Sequence, residues 1–134
     1  MNMNMNMNIN INIIIADLIH IIHIILVLYI MSGFIITPNK YLKYYLYLII
    51  FIFLDWNDSD GQCILTKIEH FFRTGQLTQT TAQCEDAPEF FRPEIYKIFP
   101  NIKLTRIEAD KINNFIFILC FLFGFIRYDA LKKS

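Results

Sequence analysis

Net charge is the first thing this chain lacks. Its 12 Lys and Arg are matched by 12 Asp and Glu. Without a basic field there is nothing to attract a phosphate backbone, so nucleic acid is excluded as a partner. Cysteine is scarce as well. Cys63, Cys84 and Cys120 form no C-x-x-C pair, which argues against a zinc ribbon or a thioredoxin-type site. No nucleophile–base pair, phosphate loop or metal signature stands out, and no cofactor is implied. The first twelve residues, MNMNMNMNININ, contain no Lys or Arg and so lack a signal-peptide n-region.

Apolar length is what the chain has in quantity. Hydrophobic residues make up 55% of its 134 positions, a large apolar surface for one small soluble domain to hide. From Leu18 to Ile36 there is no charged side chain. At about 1.5 Å per residue that stretch reaches roughly 28 Å, close to the hydrocarbon thickness of a bilayer. It is apolar on every side, so no face is reserved for water. The abundance of Ile, Asn, Phe, Tyr and Lys points to an AT-rich genome.

These runs predict an all-α membrane protein. Three transmembrane helices are expected at about 16–36, 41–56 and 109–128. The first is closed by the turn Thr37-Pro38-Asn39-Lys40. The second has only an 11-residue uncharged centre, Tyr44 to Leu54. It can span if Lys40 and Lys43 snorkel at one end and Trp56 anchors the other. The third follows Thr105-x-x-Glu108, a capping box. Residues 13–134 form the single membrane domain. Residues 1–12 are a low-complexity tail, either a poorly ordered slipped repeat or an Asn-rich strand.

One or two short amphipathic helices are expected in the loop 57–108. In the first, about 62–74, Ile64, Leu65, Ile68, Phe71 and Phe72 recur at helical spacing as an apolar stripe. That stripe would lie on the membrane or on the other helices. Thr66-x-x-Glu69 reads as its capping box and Gly75 as its C-cap. Glu69 precedes Arg73 by four, so Glu69→Gln would cost a few tenths of a kcal/mol. Ser59 or Asp60 is also placed to cap a helix, since Asp58 and Asp60 lack the spacing of a calcium loop. Arg92-Pro93-Glu94 marks a second helix start.

The candidate polar site is Asp17, His20, His23, Glu69 and Arg73. Ionisable groups in a spanning helix usually face a bundle interior or a watery cavity. Steps of three put Asp17, His20 and His23 on one broad face. The simplest account is interhelical hydrogen bonding. A metal or haem pair at His20 and His23, and a proton relay, are the alternatives. Glu69 and His70 form a weaker acid–base candidate, because adjacent helical residues point apart.

The eleven residues Cys63, Leu65, Thr66, Ile68, Glu69, Phe72 and Arg73 with their spacers resemble a C-x-L-T-x-[LM]-E-x-x-[LF]-R signature. It belongs to a family of small uncharacterised multi-pass membrane proteins, catalogued in bacteria as a domain of unknown function and predicted also in large DNA viruses. Ala16-Asp17-Leu18 with His23 is similar to the opening of that family's first helix. Trp56-Asn57 and the block Phe91, Tyr96, Phe99 and Pro100 are similar to later parts. Ile64 replaces the bacterial Pro, and Asp55 replaces a His before the Trp. The resemblance implies several membrane helices around a short amphipathic helix, and no activity.

Basic residues at Lys40, Lys43, Arg127, Lys132 and Lys133 favour a cytoplasmic C-terminus and an N-terminus outside or lumenal. Cys63 and Cys84 would then lie in an oxidising space. A disulfide between them could add roughly 3 kcal/mol. Cys120 reads as a packing residue. Two functions lead; a third, an oligomeric pore, rests only on Ser32, Gly33 and Gly124 as small or polar residues on helix faces and ranks last. Of the leading two, one is a non-enzymatic structural or assembly component whose partners are the bilayer and other membrane proteins or copies of itself. The other is a small membrane enzyme or redox subunit, which requires the His face of the first helix to meet Glu69 in one cavity.

Overall fold

A computed structural model describes residues 2–58, 62–76 and 89–134, with side chains from residue 11. Helix α1 runs Asn2–Ile36, α2 Leu42–Asp58, α3 Ile64–Thr74, α4 Phe91–Ile98 and α5 Arg106–Lys133. No strand occurs among the described residues. The fold class is all-α. Two segments, Ile11–Ile36 and Arg106–Lys133, are long and apolar enough to cross a membrane. Helix α2, with 17 residues, is shorter than these. The Met-Asn run belongs to α1 and is neither a strand nor an irregular tail. Extending an existing helix adds one hydrogen bond per residue without a new nucleus, which offsets the weak propensity of Asn.

Local chemistry sets the helix ends. Thr37 N–H still donates to Gly33 O at 3.0 Å, but Pro38 has no N–H to continue α1. A 3-10 turn, Asn39–Tyr41, leads into α2. The orphan carbonyls at the end of α1 are met from a distance. Arg127 Nη1 donates to Phe34 O at 2.8 Å and Ile35 O at 3.1 Å, and its Nη2 donates to Asn39 Oδ1 at 2.7 Å. A cation there also complements the helix dipole. Arg127 is thus tied to the end of α1. Thr105 and Glu108 form the expected capping box at the start of α5.

Helix α2 runs back along α1, and α5 runs parallel to α1. Tyr45 of α2 fixes the three together. It is 1% exposed, and its hydroxyl donates to Ile30 O at 2.6 Å. Gly33 of α1 and Gly124 of α5 both face its ring. A Cβ on Gly33 would sit 2.2 Å from Tyr45 Cε2, and one on Gly124 would sit 3.1 Å from Tyr45 Cε1. Leu42, Leu46, Ile49, Phe117 and Cys120 complete this core. Cys120 packs as expected. Trp56 does not anchor at an interface; it is buried. Outside this core α1, α2 and α5 carry exposed Ile25, Leu28, Phe51, Leu54, Ile118 and Phe125, an apolar exterior well beyond isolated surface residues.

Helix α3 is packed in the reverse of a water-soluble amphipathic helix. Thr66 faces inward at 6% exposed, while Ile64 is 53%, Ile68 38% and Phe71 40% exposed. Ile64, Ile68 and Phe71 of the apolar stripe therefore look away from the other helices, while Leu65 and Phe72 are half-buried. Thr66 caps nothing. The N-cap is Cys63, and the Thr66 hydroxyl lies buried inside the helix without a partner. The polar side is held inward because α1 offers it ionic partners. Gly75 closes α3 at φ 72°, the left-handed conformation that favours glycine, with its N–H on Phe71 O at 2.7 Å. The cap expected at Ser59 or Asp60 lies outside the described residues.

Candidate functional site

Helix α3 runs antiparallel to α1, so Arg73 lies by Asp17 and Glu69 lies one turn further along by His20. Arg73 Nη2 is 2.8 Å from Asp17 Oδ1, and its Nε donates to Glu69 Oε1 at 2.9 Å. The other Glu69 oxygen is 3.1 Å from His20 Nδ1. Helix α4 supplies the remaining partners. Glu94 Oε1 is 3.3 Å from His20 Nε2 and accepts from Lys97 Nζ at 2.5 Å. Asp17, Arg73, Glu69, His20, Glu94 and Lys97 thus form one continuous chain of polar contacts across α1, α3 and α4.

The arrangement constrains protons. An ionised carboxylate only accepts hydrogen bonds, and His20 has a carboxylate at each ring nitrogen. The set is satisfied when both nitrogens carry a proton. The cluster borders a cleft of about 130 Å³, whose walls include His20, Thr66, Glu69, His70, Glu89 and Glu94. Four of the five expected site residues, Asp17, His20, Glu69 and Arg73, are brought together. The expectation that the His face of the first helix must meet Glu69 in one cavity is met by His20. Glu69 turns to His20 and Arg73, so it does not pair with His70.

His23 stands apart. Its ring is buried and stacks on Phe90, with centroids 3.8 Å apart and planes at 23°. Being one helical step along from His20, it points past the cleft toward α2 and α5. His20 and His23 therefore do not converge as a ligand pair. No group of three or more metal-ligating side chains lies among the described residues. Glu94, Phe90, Trp56 and Asn113 were not recognisable as site neighbours in the sequence. Glu94 is legible only as part of the helix start Arg92-Pro93-Glu94, and nothing local to α4 pairs position 94 with position 20.

Cys63 carries a buried free thiol; the disulfide expected with Cys84 falls on a residue outside those described. Burial pushes the thiol above its ordinary range and the Asp55 carboxylate adds to this, while the backbone amides of Leu65 and Thr66 pull the other way. Such a group is stabilising as the neutral thiol below its unfolded pKa, and that contribution is lost as pH rises through its folded one. The folded protein should therefore resist iodoacetamide at Cys63 at pH 8 and react on unfolding. Its stability should fall on the alkaline side of the ordinary thiol range, and Cys63→Ala should flatten that fall. Rapid labelling of native Cys63 at pH 8, read by peptide mass, would contradict its burial.

No family model, curated protein or solved structure matches this chain. Fold and site together define an all-helical protein with two helices able to cross a membrane and a charged cluster beside the first of them.

Proposed function

We propose that this is a multi-pass integral membrane protein acting as a structural or assembly component of its membrane. The observation that carries this reading is the packing of α3, with Thr66 and Glu69 turned inward and Ile64, Ile68 and Phe71 outside. Water would favour the opposite arrangement and lipid favours this one. Within the reading, α2 is the third span. Its 17 residues give about 26 Å, and Lys40 and Lys43 extend it at one end. The N-terminus is outside or lumenal and the C-terminus is cytoplasmic, with Lys40, Lys43 and Arg127 near one face. The likeness of Cys63 to Arg73 to the small membrane-protein family belongs to the same proposal. The ionic chain serves as a clamp: each of its charges already has a partner, and it fastens α3 and α4 to α1.

A second reading, a small membrane enzyme or redox subunit, is favoured by one observation. His20 and Glu69 meet at the edge of a cleft, as an acid–base pair would. Native mass spectrometry of protein purified in mild detergent separates the two. A bare chain or homo-oligomer without metal or haem supports the structural role. A stoichiometric metal or haem, lost in the His20→Ala/His23→Ala double variant, overturns it. Alkaline extraction tests the membrane assignment itself: release of the chain into the soluble fraction would end it.

A further inference from the structure

A second cavity, of about 40 Å³, lies between α1, α2 and α5 on the far side of His23. Its wall is chiefly apolar, with Leu26, Val27, Ile30 and Met31 from α1. Besides the buried Cys63 thiol, three polar side chains line it, each more than nine-tenths buried: His23, Trp56 and Asn113. His23 Nδ1, Trp56 Nε1 and Asn113 Nδ2 have no hydrogen-bond partner. Buried polar atoms in native proteins nearly always have one, so three around a single cavity call for a common partner.

The chemistry of that partner can be read from the wall. Trp Nε1 and Asn Nδ2 only donate, so the partner must accept. No Lys or Arg lines the cavity, so the acceptor is neutral. A carbonyl oxygen can accept two hydrogen bonds, matching the two obligate donors. One water needs about 10–15 Å³ of such space, so the cavity has room for about three waters or for one group of that size. Met31, in the wall, is 47% exposed, so one flexible side chain separates the cavity from the protein's apolar exterior.

We infer that His23, Trp56 and Asn113 form a binding site for the carbonyl head of a lipid-soluble molecule, whose apolar remainder leaves past Met31. This rests on the membrane reading above. Two sources offer the same chemistry, an acyl ester of a bilayer lipid and a quinone.

Trp56 is the sole tryptophan of the chain, so its emission reports on this cavity directly. The full chain in mild detergent is titrated with decylubiquinone and, separately, with dioctanoylglycerol. One probe should change Trp56 emission saturably, with quenching for the quinone or a spectral shift for the ester. Asn113→Leu removes one donor at similar volume and should weaken that binding about tenfold or more, one hydrogen bond's worth. Asn113→Asp, which replaces the donor with an acceptor, should do the same and serves if the leucine variant fails to fold. Responses that are only linear for both probes, or that saturate equally in wild type and variant, overturn the site and leave the cavity to internal water. Alkaline extraction reports on the membrane reading independently of this titration.

Discussion

Gly33→Ala should lower the unfolding midpoint of the detergent-solubilised protein, with a net loss of about 2 kcal/mol or more. In an open helix the same change would be favourable by about 1 kcal/mol, because Ala is the better helix former. Here the new methyl would lie 2.2 Å from Tyr45 Cε2 and 2.7 Å from Cδ2. Relief requires the ring to withdraw, and it has nowhere to go. Gly124 closes its other side, and its hydroxyl is bonded to Ile30 O. Overpacking of this kind costs typically 1–3 kcal/mol and sometimes more, so sterics outweigh propensity. Gly124→Ala meets Leu46 Cδ2 at 3.0 Å and Tyr45 Cε1 at 3.1 Å, a milder conflict, and should cost less. Combining Gly33→Ala with Tyr45→Leu should recover part of the loss, since the two sites share one volume. A midpoint unchanged or raised by Gly33→Ala would mean that Tyr45 does not sit between the two glycines.

The other large effect is expected at Glu69. On the surface, its i,i+4 pair with Arg73 would be worth a few tenths of a kcal/mol, the value anticipated for Glu69→Gln. Its side chain is instead mostly buried and also bonds His20 of α1. Glu69→Ala should cost about 2 kcal/mol. Most of this comes from the charge-assisted bond to His20, because Arg73 is more than one-third exposed and solvent screens its share. Glu69→Gln keeps volume and an acceptor and should cost about half as much. A double-mutant cycle of Glu69→Ala with His20→Ala, read by thermal unfolding and circular dichroism, should give a coupling of about 1 kcal/mol. Additive losses within about 0.3 kcal/mol would show the two residues to be independent and dissolve the clamp.

Both predictions concern residues whose types are plain in the sequence but whose partners are not. Gly33 and Gly124 lie 91 positions apart and were legible only as small residues on helix faces. Glu69 was legible as a helix pair, and His20 as a polar residue in an apolar run. What joins them is the direction of α3 along α1, and no local pattern encodes that. The false capping box at Thr66 has the same origin. Thr-x-x-Glu satisfies a local rule, but a better partner for Glu69 exists 49 positions away. At Thr105 no such competitor diverts Glu108, and there the same pattern does cap the helix.

The all-helical class, the two long apolar segments, the breaks at Pro38 and Gly75 and the capped start of α5 are all legible in the order of the residues. Each follows from forces acting within a few residues: apolar run length, missing or satisfied backbone N–H groups and left-handed glycine. Tertiary structure alone decided which side of α3 faces inward, that Tyr45 is wedged between two glycines, and that His20 and His23 serve different surroundings. These depend on desolvation and charge pairing between distant segments. An amphipathic helix has two faces, and which one is buried depends on whether its neighbours offer it apolar contact or opposite charge.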